Sequence, residues 1–173
     1  CQFKLENVAA FKLAGIEIGS KSSLKDFNLL DGAKLLQTFN KKQIPVGFTL
    51  NVAALNPNDG SSGTSKSSVT LQKLDWNLVI DGVKTIAGVV NQPIELPGNN
   101  QKTIIPLEMN LDLYEFFGNK GYESLINTAL AIGGVNGSAS KLTLNAKPTI
   151  STPFGPMAYP GEIAIIDKEF RGN

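Results

Sequence analysis

The stretch LDWNLVIDGVKTIAGVV, residues 74–90, decides the fold class. Leu74, Trp76, Leu78 and Ile80 alternate with Asp75, Asn77 and Val79, a period of two that puts the two sets on opposite faces of an extended strand. A strand with one dry and one wetter face is how antiparallel sheets read. Asp81-Gly82 separates it from a second run, VKTIAGVV. Such a pair favours a type I′ turn, in which both residues take positive φ, and so predicts a tight hairpin. Trp76 shares its face with Leu74 and Leu78 and is expected to anchor the core.

The same period recurs on both sides of this hairpin. Phe48, Leu50, Val52 and Ala54 align in VGFTLNVAAL, and Ile105, Leu107, Met109 and Leu111 align in TIIPLEMNL. Pro106 has no amide hydrogen for a ladder, which predicts a sheet edge or a bulge there. SKLTLNAKPTI and GEIAIIDKEF bring the expected strands to seven to nine.

Two helical additions interrupt them, at about 23–42 and 112–133. In the first, Ser23 and Asp26 resemble a capping box, and Leu29, Ala33, Leu36 and Phe39 recur near helical spacing. Lys41 and Lys42 stand where the negative end of the helix dipole favours them. The second comes in two pieces. Leu113, Phe116 and Phe117 precede Gly118, then Tyr122, Leu125, Ile126, Ala129 and Leu130 form an apolar stripe that Gly133-Gly134 ends. PNDGSSGTSKSS, residues 57–68, reads as a polar surface connection. Many strands and two helices mean a mainly β chain, an antiparallel sandwich rather than a doubly wound sheet.

Length suits one domain: 173 residues can bury a proper core. A net charge of +1, with no basic run interleaved with aromatics, excludes nucleic acid as the expected partner. The apolar runs are too short to cross a bilayer as helices. Cys1 is the lone cysteine, so an intrachain disulfide cannot form. A cysteine at position 1 resembles the pattern of bacterial lipoproteins, in which a signal peptide is cleaved just before a cysteine that is then acylated. On that reading residues 1–10 are the lead-in from a lipid anchor at Cys1, and residues 11–173 are one domain. The implied address is the cell envelope, membrane-anchored and facing the periplasm or the surface.

The order of elements carries a second resemblance. Leu50 to Asn58 (LNVAALNPN), the 74–90 hairpin, IELPGNNQKTIIPLEMNLDL and a following helix are together similar to the type 2 late-embryogenesis-abundant proteins, also called the water stress and hypersensitive response (WHy) domain. The resemblance covers about Ile44 to Ile166 and implies an immunoglobulin- or fibronectin III-like sandwich. Asn56, Pro57 and Asn58 match its turn motif, best read as a strand ending in an Asx-type turn. The helix at 23–42 and Cys1 depart from the plant pattern and look like bacterial lipoproteins that carry this domain.

Little in the chain is equipped for catalysis. No histidine is present, which removes Ser/His/Asp and Cys/His chemistry and the usual general base near neutrality. Cys1 as an N-terminal nucleophile would need the free amine that acylation removes. Asp112 and Glu115 fall in a first helical turn, where negative charge caps. Asp75 and Asp81 share a face about 20 Å apart, too far to act on one bond. Asp59-Gly60-Ser61-Ser62 lacks calcium-loop spacing. No catalytic residue, metal or cofactor is expected. The expected function is a non-catalytic binding or assembly module tethered to the membrane through acylated Cys1, meeting an envelope protein through an exposed sheet edge or loop. The alternatives are a carrier or receptor for a small apolar ligand held between helix and sheet, with Phe116, Phe117, Tyr122 and Tyr159 lining a groove, or a stress-protective domain.

Overall fold

A computed structural model of the chain describes residues 1–61, 63 and 66–172; Ser62, Thr64 and Ser65 of the polar connection lie outside the described residues. Among the described residues ten strands form two antiparallel sheets, so the chain is mainly β. The strands are β1 (Gln2–Leu13), β2 (Ile16–Glu17), β3 (Pro45–Leu55), β4 (Val69–Ile80), β5 (Val83–Val90), β6 (Ile94–Leu96), β7 (Lys102–Asp112), β8 (Leu142–Thr152), β9 (Gly155–Ala158) and β10 (Ile163–Ile165). One sheet has the order β2-β1-β3-β7; the other runs β10-β8-β4-β5, with β6 on β4 and β9 on β8. The helices are α1 (Leu29–Asn40), α2 (Leu113–Phe117) and α3 (Tyr122–Gly133).

The alternation read in the sequence is the burial observed. Phe48, Leu50, Val52 and Ala54 of β3 are buried, as are Ile105, Leu107, Met109 and Leu111 of β7. Asp81 and Gly82 have φ of 49° and 80°, so the I′ hairpin forms, and Ile80 opposes Val83. Pro106 lies on β7, at the end of its sheet, where a missing N–H leaves no ladder bond unmade. The first strand begins at Gln2, within the stretch read as a lead-in, because Phe3 and Leu5 alternate inward like any other strand residues.

Three expectations change. Trp76 is only half-buried: its ring lies across Gly88 of β5, where a Cβ would fall 2.4 Å from Trp76 Cζ2. Strand β5 has no buried residue, so a side chain spread toward it stays partly wet. The 23–42 segment is not one helix. A 3-10 turn at Leu24–Asp26 ends at Phe27, whose backbone is extended, and α1 starts afresh with Asn28 Oδ1 accepting from the Asp31 N–H at 2.7 Å. The Ser23–Asp26 pair therefore closes the turn rather than the helix; the Asp26 carboxylate accepts from the Ser22 and Ser23 N–H groups and the Ser22 hydroxyl, which hold its pKa below the usual range. The inner face of α1 is also rotated. Leu35 is the residue buried there, and Leu29, Ala33 and Leu36 point to solvent.

The chain divides into two compact units, one of Cys1–Glu6, Val52–Ile105 and Leu142–Asn173, the other of Asn7–Asn51 and Pro106–Lys141. In the first, β4 is central, paired with β8 from Leu71 to Ile80 on one side and with β5 and β6 on the other. Asn77 and Asn145 face each other across that β4–β8 pair, and Asn77 also donates to Glu162, which accounts for a buried asparagine. In the second, α3 buries Leu125, Ile126, Ala129, Leu130 and Ile132. Phe11 stacks on Phe48 at 5.1 Å and lies against Gly133 at the end of α3.

One ion pair gives the first unit a pH dependence. Lys102 Nζ donates to Glu6 Oε1 at 2.6 Å, and this bond holds the Glu6 pKa below its ordinary 4.5. A depressed folded-state pKa stabilises fully above the unfolded value and is lost as pH falls through the folded one. Lys102→Met is therefore expected to flatten the acid limb of stability below about pH 4.5, by under about 1 kcal/mol because the pair is partly exposed. Urea unfolding of both chains between about pH 3 and 7 checks it.

Candidate functional site

The Cys1 end is built by pinning β1 to the far end of the chain. Phe3 and Arg171 exchange both backbone bonds at 2.8 Å, and the Leu5 N–H donates to the Ile166 carbonyl at 2.8 Å. Cys1 is left half-buried at the head of the strand, with Tyr159 Oη reaching its carbonyl at 3.4 Å. Gly172, at φ 106°, passes so close that a Cβ would lie 3.1 Å from the Cys1 carbonyl oxygen. Burial raises the Tyr159 pKa. Beside it, Ile150, Met157, Ala158, Tyr159 and Pro160 line an open depression of about 300 Å³. The β8–β9 hairpin that carries these residues ends in Phe154, which is 99% exposed. Thr152 Oγ1 ties the tip, donating to the Gly155 carbonyl at 2.7 Å and accepting from the Phe154 N–H at 3.1 Å. The tip sequence, Pro153-Phe154-Gly155-Pro156, sets an aromatic between proline and glycine.

Asn56 of the Asn56-Pro57-Asn58 stretch does more than turn the chain. Asn56 Oδ1 accepts from the Asn58 N–H at 3.2 Å, which closes the Asx turn. Its Nδ2 donates to the Ser67 carbonyl at 2.9 Å and the Leu96 carbonyl at 3.1 Å. One buried side chain thus joins the end of β3, the approach to β4 and the end of β6. Gly98 lets the backbones close on it: a Cβ there would fall 2.2 Å from the Ser67 carbonyl oxygen.

The four aromatics proposed as a groove are divided between the two units. Phe117 is buried beneath Lys120, whose Nζ stands 4.9 Å from the ring centre. Phe116 and Tyr122 are half-buried in the same unit, whereas Tyr159 belongs to the other and is turned to Cys1. The aromatic cluster that forms is centred on Phe39 of α1, edge-on to Tyr114 at 5.3 Å and Tyr122 at 5.4 Å. Tyr114 was invisible to a search for apolar stripes because its partner lies on another helix.

Two of the acids weighed for chemistry have structural partners. Asp112 Oδ1 accepts from the Ile44 N–H at 2.7 Å and the Tyr114 N–H at 2.9 Å, so it caps α2 and closes the entry to β3 at once. Asp75 pairs with exposed Lys73 at 3.2 Å. Among the described residues no three Cys, Asp or Glu side chains gather where they could hold a metal ion, and no helix is long and apolar enough to cross a membrane. One interaction feature of the first unit is strand β5. It stands at the end of its sheet, eight residues long with one lysine, and exposes Val83 and Val89. Such an edge offers a row of backbone donors and acceptors to an incoming strand.

No family model matches the chain, and no curated protein does. Among solved structures, a crystal structure of a protein from Archaeoglobus fulgidus is 14% identical, covering 66% of this chain and 78% of that one at a TM-score of 0.35. The solution structure of a protein from Arabidopsis thaliana is 13% identical, covering 97% of this chain and 83% of that one at a TM-score of 0.33. Likenesses this distant carry no argument about function.

Proposed function

We propose that the protein is a non-catalytic binding or assembly module of the cell envelope, tethered by a lipid on Cys1 and meeting its partner through strand β5. The finer fold reading, an immunoglobulin- or fibronectin III-like sandwich of the type 2 late-embryogenesis-abundant kind, accompanies it. Two antiparallel sheets and the resemblance of the 44–166 segment support that reading. The single observation that carries the function is the open β5 edge. Natural proteins guard such edges with charge, proline or a covering segment, whereas Val83–Val90 has Lys84 as its one charge. Strand addition supplies affinity through the backbone and selectivity through alternate side chains. The half-exposed Cys1 supports the tether, since it heads a strand that is held fast.

A photocrosslinker at exposed Ala87 is expected to trap one discrete envelope protein. Val83→Lys with Val89→Lys should abolish that adduct while changing stability by less than about 0.5 kcal/mol, because neither side chain is buried. Mass spectrometry of the native N-terminus tests the tether. An unmodified Cys1, or a crosslink indifferent to the two lysines, would sink the corresponding half of the reading.

A further inference from the structure

Helix α1 turns its apolar side outward. At 100° per residue, Leu36, Leu29, Ala33 and Leu30 fall within an arc of about 120°. Leu29 is 92% exposed, Leu30 80% and Leu36 47%, and Ala33 is exposed with them. Buried Leu35 marks the opposite side. The helix therefore stands on its unit by one leucine, with Phe39 beside it, and shows three leucines to solvent. Scattered apolar residues on a surface need no explanation, but a contiguous helical stripe does.

We infer that this face is a docking surface for an anionic lipid bilayer, on which α1 lies in the plane of the interface. The charges choose the occupant. The outward arc holds Gln37 and Asn40 beside the leucines and no acid, Lys34 and Lys41 border it on the Leu30 side, and exposed Lys25 and Lys42 stand just outside its two ends. Both nearby acids are drawn away from it. Asp26 is held by Ser22 and Ser23, and Asp31 lies on the half-buried side of the helix. Leucines flanked by lysines are the composition of helices that insert an apolar side among headgroups and set cations against anionic lipid. Size argues the same way. One face of a helix about 18 Å long falls well short of the roughly 800 Å² per partner that a stable protein dimer needs. A fluid surface has no such threshold, because each leucine inserts on its own. The inference does not depend on the lipid at Cys1.

The test is co-sedimentation of the full, unacylated chain with phosphatidylcholine vesicles containing or lacking phosphatidylglycerol. Binding is expected to the anionic vesicles, to weaken with added salt, and to fall at least about tenfold in Leu29→Gln with Leu30→Gln. Leu29→Glu with Leu30→Glu should lose it entirely; acids in a first helical turn suit the dipole, so this variant keeps its fold, which circular dichroism checks. Lys34→Gln with Lys41→Gln should remove the preference for anionic vesicles. No binding by the unaltered chain, equal binding by the double Gln variant at the leucines, or dimers in sedimentation that the same variant dissolves would each overturn the inference.

Discussion

Replacing Asn56 with aspartate is expected to cost about 3–5 kcal/mol of stability near neutral pH, more than replacing it with alanine, at about 1–3 kcal/mol. Asn56 is 3% exposed and its amide gives two hydrogen bonds, to the Ser67 and Leu96 carbonyls. Alanine leaves those carbonyls buried without donors. Aspartate does that and sets a carboxylate against them, a buried charge facing the negative ends of two dipoles. The excess cost should depend on pH with a definite sign. The introduced carboxyl has a folded-state pKa raised by burial above the unfolded 3.9 or so, so its penalty is full above the folded value and fades as pH falls toward the unfolded one. Urea unfolding of Asn56→Asp and Asn56→Ala at about pH 7 and about pH 4 measures both. An aspartate variant no worse than alanine at neutrality would mean that the amide's donors are not what holds the three segments together.

The second large effect comes from a methyl group. Gly133→Ala should destabilise by about 1–3 kcal/mol although alanine is the better helix former by about 1 kcal/mol. The added Cβ would sit 2.2 Å from Phe11 Cγ and 2.4 Å from Phe11 Cβ, and the ring cannot step aside while it stacks on Phe48 with only 9° between their planes. Gly32→Ala in α1 is the internal control. A Cβ there meets nothing within 4 Å, so the same change should stabilise by up to about 1 kcal/mol. Phe11→Leu should recover part of the loss in the Gly133→Ala background. Thermal or urea unfolding of the parent, the two glycine variants, Phe11→Leu and the double variant reads the opposite signs, and additivity between Phe11 and Gly133 would refute the clash.

These two sites mark how far the sequence could be read. Strand β7 was legible because burial there follows a period of two without interruption, β3 because it keeps that period from Val46 to Val52 before Ala53 breaks it, and Asp81-Gly82 because two positive φ angles demand that chemistry. The inner side of α1 was not. Leu29, Ala33, Leu36 and Phe39 make an acceptable stripe, and nothing local says that Leu35 faces inward instead. Trp76 was misjudged for a related reason: its half-exposed position is set by Gly88 on the neighbouring strand and by that strand's lying at the rim. The Asx turn at Asn56 was foreseen from local chemistry, but its two long-range bonds were not. Nor does composition say that Tyr159 joins one unit and Phe116, Phe117 and Tyr122 the other. Local chemistry is written locally; the choice among equivalent faces is made by partners far along the chain.

The backbone exchange between Phe3 and Arg171 has a consequence for biogenesis. Phe3 and Leu5 find their partners at Arg171 and Ile166, so these contacts add heavily to contact order. A nascent chain emerging N-terminus first must keep Phe3 and Leu5 uncovered until that later segment arrives. Vectorial synthesis therefore cannot finish the first unit early, and truncation after β8 should yield an aggregation-prone, chaperone-dependent product rather than a smaller native fold.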